Sequence, residues 1–373
     1  MITFFFANNY KSLVNFKIEF DRISALIGNN GSGKSTVFFA LSSLQQFILG
    51  RGRTTDFFNA YSLTRWMKSF VQTFEFGMKA NDNDQEYVYH LELEYDHVTG
   101  KCAVKHESVS CAGKKIFSSI KGEVTFLIAS GESMQSSMLR IDNSFSGISY
   151  IANGIQNTEV SVFMMMVTNL VICSINPLKM LDQVIAETWV PDRDFSNIGS
   201  IISYLSQVRP NVITDLWAQL QQIEPSFERL RIEIGAPGKN LVAEYRYNDV
   251  FVGYAFAELS EGEKVLVALY LILFGYLREG YTVFIDEPDN YVALREIQPW
   301  CRAVVDACIE QGQCIVISHH PEIIDYYGMT NGIWFSRLKS GESEIRKKPM
   351  GSEFTDFMKY SELIAGGFLD ENE

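Results

Sequence analysis

The chain has 373 residues, of which 47% are hydrophobic and 21% are charged, the balance of an ordinary globular protein with a sizeable core. Its formal net charge of −13 at pH 7 argues against a surface that binds nucleic acid throughout, since phosphate binding needs clusters of lysine and arginine. The 6 cysteines lack C-x-x-C pairing, and no apolar run reaches the roughly 20 residues of a bilayer crossing, so we expect no zinc, no membrane contact and a cytoplasmic location.

The first informative element is a glycine-rich loop that directly follows an apolar run. Residues 23–27 predict a buried strand, and the loop after them fits the pattern G-x-x-x-x-G-K-[ST]. Glycines let successive N–H groups face one concavity, where a polyphosphate can lie at the positive end of the next helix. Such a loop also occurs by chance on protein surfaces. We assign phosphate binding to Gly28, Asn29, Asn30, Gly31, Ser32, Gly33, Lys34, Ser35 and Thr36, with Lys34 on the β and γ phosphates and the Ser35 hydroxyl on Mg²⁺.

The middle of the chain changes character along its length. From Thr73 to about Ile151 polar and apolar residues alternate, which predicts antiparallel strands. From Glu159 to Gln222 the spacing is helical and is interrupted by prolines, and we interpret the apolar run Val160–Cys173 as a buried helix. No heptad pattern persists over several repeats, so a long coiled coil is not expected.

Three further motifs follow in order. Ser260, with Glu263 three residues later, forms a capping box ahead of an apolar helix from Val265. Residues 282–288 are an apolar strand that ends in Asp286 and Glu287, suited to holding Mg²⁺ and polarising an attacking water respectively. After a helical stretch, an apolar strand from Cys314 ends in a histidine pair.

Taken together, the four motifs resemble those of ABC-type P-loop ATPases of the RecF/SMC-like and OLD-like branch. The resemblance implies an α/β fold: an ABC-ATPase-like core with an inserted antiparallel β lobe and a helical lid. It implies that Ser260 and Gly262 contact the γ-phosphate held by an opposite subunit, and that His319 rather than His320 is the switch histidine. In residues 259–264, Glu261 replaces the first glycine of the commonest signature form Leu-Ser-Gly-Gly-Gln.

The predicted domains are the N-terminal half of the core with the loop (1–50), the β lobe (51–158), the helical lid (159–230) and the C-terminal half of the core (231–373). The resemblance implies a Mg²⁺-dependent ATPase that dimerises, or forms a higher homo-oligomer, around ATP. We expect a sensor or scaffold subunit of a prokaryotic anti-phage or toxin system. Its effector, such as a nuclease, would be a separate protein.

Two alternatives stay open at this point. One is a DNA repair ATPase like RecF, although the tight basic groups, Arg51 with Arg53, Lys114 with Lys115, and residues 346–348, give DNA binding only weak support. The other is an interaction protein that binds ATP without hydrolysing it. The presence of Glu287, a base for hydrolysis, argues against that second alternative.

Overall fold

The computed structural model describes residues 1–80, 85–130, 133–154, 158–235 and 238–346. The final part of the predicted C-terminal domain, with residues 347 and 348 of the third basic group, lies outside the described residues. The predicted boundaries at residues 50, 158 and 230 stay predictions.

The strands, in chain order, are β1 (Ile2–Asn8), β2 (Phe16–Glu19), β3 (Ile23–Gly28), β4 (Val71–Lys79), β5 (Glu86–Tyr95), β6 (Cys102–Cys111), β7 (Lys114–Ile120), β8 (Glu123–Ser130), β9 (Ser133–Arg140), β10 (Leu170–Cys173), β11 (Gln183–Val184), β12 (Phe227–Ile234), β13 (Lys239–Tyr247), β14 (Val250–Ala255), β15 (Thr282–Asp286), β16 (Gln313–Ile317), β17 (Gly332–Arg337) and β18 (Ser343–Arg346). The helices are α1 (Lys34–Ile48), α2 (Thr54–Phe57), α3 (Gly147–Gly154), α4 (Thr158–Thr168), α5 (Ile198–Val208), α6 (Pro210–Ile223), α7 (Glu261–Gly275), α8 (Leu294–Glu310) and α9 (Pro321–Asn331).

The chain forms two compact units, and each is built from separate stretches of sequence. The first contains Met1–Asp21, Gly28–Leu170 and Ile333–Lys348. The second contains, among the described residues, Arg22–Ile27 and Val171–Gly332. Both units therefore combine residues from the two ends of the sequence.

The first unit is built on an antiparallel sheet. Its 8 strands lie in the order β2-β1-β4-β5-β6-β7-β8-β9. Along β5 every second side chain is buried, including Tyr87, Tyr89 and Leu91, which is the alternation expected of a sheet with one face on a core. Phe163 of α4 stacks on Tyr89 with ring centroids 6.0 Å apart, so this helix covers the buried face. The alternating pattern in the sequence thus predicted the lobe correctly.

The second unit contains parallel strands that are buried along their length. β10, β15, β16 and β3 lie side by side in that order. β15 pairs with β16 and β16 pairs with β3 in parallel, with Phe284 opposite Ile315 and Val316 opposite Ala25. Parallel strands end at the same edge of a sheet, so the residues that follow β15 and β16 leave from one edge.

The predicted helix over Val160–Cys173 is wrong at its C-terminal end. α4 stops at Thr168, whose hydroxyl donates to Met164 O at 2.8 Å, and Leu170–Cys173 is strand β10. All four residues of β10 are buried. A short strand that is covered on both faces reads as a continuous apolar run, which periodicity does not distinguish from the end of a buried helix.

A smaller sheet in the second unit leads into α7. β12 and β14 flank β13 and pair with it in antiparallel fashion. Asn248 and Asp249, both with positive φ (49° and 61°), form the two-residue turn between β13 and β14, as a tight hairpin requires. β14 then runs through a short 3-10 turn, Phe256–Glu258, to Ser260 at the start of α7.

Within the described residues, no helix is both long enough and apolar enough to cross a bilayer. In the same part of the chain, no group of three or more His, Cys, Asp or Glu side chains could hold a metal ion. The cysteines are buried and unbridged.

Candidate functional site

The glycine-rich loop has the backbone conformation that its sequence predicts. It begins where β3 ends, at Gly28, and α1 begins at Lys34. Gly28, Gly31 and Gly33 have φ of 144°, 77° and 109°. A side chain is strained in this region of φ, so the loop needs glycine at all three positions.

Two of these glycines are also closely packed. A Cβ at Gly28 would lie 2.2 Å from the carbonyl oxygen of Phe335 on β17. A Cβ at Gly33 would lie 2.2 Å from the Ser343 hydroxyl on β18, which in turn is hydrogen-bonded to the Ser12 hydroxyl at 2.8 Å. The β17–β18 hairpin therefore fixes the loop from one side, a contact that the sequence pattern did not reveal.

The polar groups of the loop suit a polyphosphate. Lys34 is 5% exposed, and its Nζ donates to Gly28 O at 2.6 Å and to Asn29 O at 3.0 Å. Ser32 is 2% exposed, and its hydroxyl has no hydrogen-bond partner. A buried hydroxyl without a partner is costly, so a ligand oxygen at this position would be stabilising. The ammonium group and the free hydroxyl, together at the N-terminus of α1, fit an anion.

The acidic strand ends in a strained residue. Asp286 is the last residue of β15, and Glu287 follows it with a φ of 52°. A left-handed conformation at a non-glycine residue costs of order 1 kcal/mol, and such strain is concentrated at functional sites. The Glu287 N–H donates to Ile317 O at 2.8 Å, and Asn290 Nδ2 donates to Glu287 Oε2 at 2.8 Å. Both the backbone and the carboxylate of Glu287 are thus held in one orientation.

The neighbouring strand β16 ends in the predicted histidine pair. Ser318 Oγ donates to Asp289 Oδ1 at 2.7 Å and accepts from the His320 N–H at 2.9 Å. These bonds join the loop after β16 to the loop after β15. His319, the predicted switch residue, is exposed, whereas His320 is half-buried.

Ser260 and Glu263 form the predicted capping box at the start of α7. Glu263 Oε2 accepts from the Ser260 N–H at 2.8 Å and from the Ser260 hydroxyl at 2.6 Å. The buried Tyr245 of β13 donates its hydroxyl to Glu263 Oε1 at 2.8 Å. Burial alone would raise the pKa of the Glu263 carboxyl, but the hydrogen bonds from Ser260 and Tyr245 outweigh burial and hold that pKa below its usual value.

Gly262 lies against the segment that follows the acidic strand. A Cβ at Gly262 would lie 2.9 Å from the carbonyl oxygen of Tyr291, which itself has a φ of 72°. The first turn of α7 and the segment after Glu287 are thus in contact. Gly262 is required here by close packing, whatever else it binds.

Sequence reasoning missed the residues that support the predicted ones. Asn290 could have been found, because it stands three residues after Glu287 in a turn that brings the two side chains together. Tyr245, Asp289 and Ser343 gave no local signal, since each contacts a residue that is distant in sequence.

The chain is similar to one protein family and to several solved structures. Residues 189–325 match the family model described as "AAA domain, putative AbiEii toxin, Type IV TA system". Among solved structures, an SmcHead bound to the C-winged helix domain of ScpA is 17% identical, with a TM-score of 0.57 over 94% of this chain and 99% of that one. A Smc head domain bound to the C-terminal domain of ScpA, from Pyrococcus furiosus, is 13% identical, with a TM-score of 0.50 over 95% of this chain and 98% of that one. No curated protein sequence matches the chain.

These likenesses establish the fold. The chain has the ABC-ATPase-like α/β architecture of SMC head domains, with an antiparallel lobe and additional helices, as the sequence motifs predicted. Its glycine-rich loop lies directly ahead of α1, and residues 189–325 are similar to an AAA-domain family. The roles of the individual site residues stay predictions.

Proposed function

We propose that the protein binds ATP with Mg²⁺, hydrolyses it, and associates with a second copy of itself while nucleotide is bound. The observation that carries this proposal is the loop Gly28–Thr36. It combines three left-handed glycines, the Lys34 ammonium and the unpartnered Ser32 hydroxyl at one helix N-terminus. These groups are complementary to a polyphosphate.

The resemblance to ABC-type ATPases supports a reaction site that these motifs share. Asp286 ends β15 and Glu287 follows it, and His319 follows the neighbouring parallel strand β16. Ser35 and Asp286 would hold Mg²⁺, which neutralises charge that develops on the phosphates. Glu287, held by Asn290, would orient and deprotonate the attacking water. His319 would contact the γ-phosphate.

The N-terminus of α7 would complete the site of the opposite subunit. Ser260 and Gly262 supply a hydroxyl and an N–H group at the positive end of a 15-residue helix. A γ-phosphate bound between two copies would hold them together, and hydrolysis would remove that contact and release the dimer.

Light scattering in the presence of MgATP tests the association. Glu287→Gln provides the background, because it should preserve nucleotide binding while slowing turnover. In that background the mass should double on addition of ATP, and Ser260→Arg should prevent the doubling by filling the second phosphate site. Ser206→Arg, the same change at an exposed serine of α5, is the matched control. Doubling by the Ser260→Arg variant would contradict the role of α7.

At the level of biology, we propose a cytoplasmic sensor or scaffold subunit of a prokaryotic defence or toxin system with an effector in trans. The description of the matching family, which names a type IV toxin system, supports this choice over a RecF-like repair ATPase. The net charge of −13 supports it as well. Copurification from the native host, with the Glu287→Gln variant as bait, should recover an effector enzyme; recovery of replication or repair proteins alone would favour the alternative.

A further inference from the structure

The β17–β18 hairpin meets all three glycines of the phosphate loop. Gly28 lies against Phe335 and Gly33 against Ser343, as described above. The middle glycine, Gly31, has no backbone or hydroxyl group packed against it. The single atom near a Cβ at that position is Nη1 of Arg337, at 3.9 Å.

Arg337 links the loop to the hairpin at two points. Its Nη1 donates to Gly31 O at 3.3 Å, and its Nε donates to Gly341 O at 3.1 Å. Gly341 belongs to the tight connection between β17 and β18, where its own N–H donates to Leu338 O at 2.9 Å. One planar guanidinium therefore bridges two carbonyl groups that are far apart in sequence, a geometry for which arginine is suited and lysine is not.

The position of the Gly31 carbonyl determines the direction of the next N–H. In a planar trans peptide the C=O and the N–H point to opposite sides, so a Gly31 carbonyl held toward the hairpin turns the Ser32 N–H away from it. That N–H donates to Asn29 O at 3.2 Å, the same carbonyl that accepts from Lys34 Nζ at 3.0 Å. The Ser32 amide therefore shares the side of the loop on which the lysine ammonium lies.

We infer that Arg337 is a positioning residue of the phosphate loop: its guanidinium clamps the Gly31 carbonyl to the hairpin and thereby sets the curvature with which the loop meets phosphate. This inference rests on the proposed nucleotide site. The unpartnered, buried Ser32 hydroxyl beside the clamped carbonyl supports a ligand at this part of the loop. The positive charge of Arg337 also lowers the cost of bringing a polyphosphate to the loop.

Calorimetric measurement of nucleotide affinity tests the inference without requiring turnover. With the full chain, Arg337→Gln should raise Kd by about tenfold for MgATP and MgADP alike, the effect of about one charged hydrogen bond, because the clamp shapes the loop and does not reach the γ-phosphate alone. Arg337→Lys should restore little, since a point charge does not bridge two carbonyls. Methylguanidinium added to Arg337→Gly should recover part of the lost affinity and leave the parent unchanged.

Arg346→Gln, on the other strand of the same hairpin, is the matched control. Arg346 lies 3.9 Å from Glu344. It should leave both Kd values unchanged.

The outcomes separate this inference from the proposed function. If Lys34→Ala loses nucleotide binding while Arg337→Gln binds as the parent does, the clamp is wrong and the site stands. Loss of MgATP binding with MgADP binding intact would also overturn the clamp, because it would make Arg337 a γ-phosphate ligand. If Lys34→Ala binds like the parent, the nucleotide site itself fails, and this inference fails with it.

Discussion

The carboxylate of Glu263 accepts a hydrogen bond from the hydroxyl of Ser260. The Ser260 Oγ–Glu263 Oε2 distance is 2.6 Å, and the same oxygen accepts the Ser260 N–H. Ser260 can donate its hydroxyl to a phosphate only after this bond is broken. Tyr245, by donating to the other carboxylate oxygen, takes up part of the negative charge of Glu263 and weakens its hold on Ser260.

Tyr245→Phe should therefore weaken nucleotide-dependent association. The change removes one hydrogen bond to a charged group, worth about 1.5–3 kcal/mol, and leaves the carboxylate a stronger competitor for the Ser260 proton. We expect an increase of about tenfold in the dimer dissociation constant, measured by sedimentation velocity in the Glu287→Gln background with MgATP.

Glu263→Gln keeps a residue type that can close a capping box but removes the charge, and it should strengthen the association instead. In a protein that carries Glu263→Gln, Tyr245→Phe should have little further effect on the association, since the two changes act on the same side chain. Glu261→Gln, which removes an exposed charge from the same turn, is the control and should cause a smaller change. Additive effects of Tyr245→Phe and Glu263→Gln would show that Tyr245 acts only on the fold.

Hydrolysis should depend on Glu287 and Lys34 in different ways. Glu287→Gln should bind ATP with near-normal affinity and lose about 100-fold or more in turnover, because the base is removed while the phosphate contacts stay. Lys34→Ala should lose both ATP binding and turnover. The rate of phosphate release and the calorimetric affinity for ATP, measured for both variants, distinguish loss of turnover from loss of binding. Turnover by Glu287→Gln at the parent rate would contradict the assignment of Glu287 as the base.

Asn290→Ala tests the orientation of that base. The variant loses the 2.8 Å bond to Glu287 Oε2 but keeps the carboxylate. We expect kcat to fall by about tenfold with KM nearly unchanged, because the bond orients a group that acts on the attacking water. A rise in KM with kcat unchanged would place Asn290 in nucleotide binding instead.

The sequence predicted those features that depend on residues close to one another in the chain. The loop Gly28–Thr36, the acid pair after β15 and the capping box at Ser260 are local patterns, and the structure places each at the predicted strand or helix end. The alternation in β5 likewise predicted an antiparallel lobe. Local chemistry is sufficient for these because turns, caps and strand ends are determined by near neighbours.

Features that depend on distant contacts were not predictable in this way. The Ser12 and Ser343 hydroxyls that pack beside Gly33 are separated by 331 residues. In the sequence, strand β10 resembles the end of a helix. Its burial on both faces removes the alternation of polar and apolar residues that distinguishes a strand from a helix. The positive φ of Glu287 has no sequence signal either, and the N–H of this residue donates to Ile317 O, which is distant in sequence.

The β lobe should show a pH-dependent stability that is centred on Glu107. This side chain is fully buried, and it accepts hydrogen bonds from Ser146 Oγ (2.7 Å), the Gly147 N–H (2.7 Å) and Tyr89 Oη (3.0 Å). Burial raises the pKa of Glu107 to about 7, and the hydrogen bonds offset only part of that effect. The folded state therefore binds a proton that the unfolded state has lost.

The direction of the pH dependence follows from this difference in the pKa of Glu107 between the folded and unfolded states. The stabilising contribution is fully present below the unfolded pKa of about 4.5 and is lost as the pH rises through about 7, and it amounts to about 3 kcal/mol. Urea unfolding of the parent at about pH 5 and about pH 8 should show a loss of this size, which Glu107→Gln should largely abolish. Glu94→Gln, at a half-exposed carboxylate of β5, should retain the parent's pH dependence. An unchanged pH dependence in Glu107→Gln would contradict the assignment.

DNA binding distinguishes the defence scaffold from the repair ATPase. Each phosphate contact releases counterions, so a repair ATPase should bind gapped duplex with an affinity that falls steeply with salt, and DNA should accelerate its hydrolysis. With a net charge of −13, we expect the isolated chain to bind weakly at physiological salt. Of the basic groups, Arg53 already stacks on Phe145 at 5.1 Å and Arg51 donates to Gln46 at 3.0 Å, which leaves them less available to phosphate. Fluorescence anisotropy over a salt series, with ATPase rates measured in the same samples, decides between the two: tight binding at physiological salt together with several-fold faster hydrolysis would establish the repair role and end the scaffold proposal.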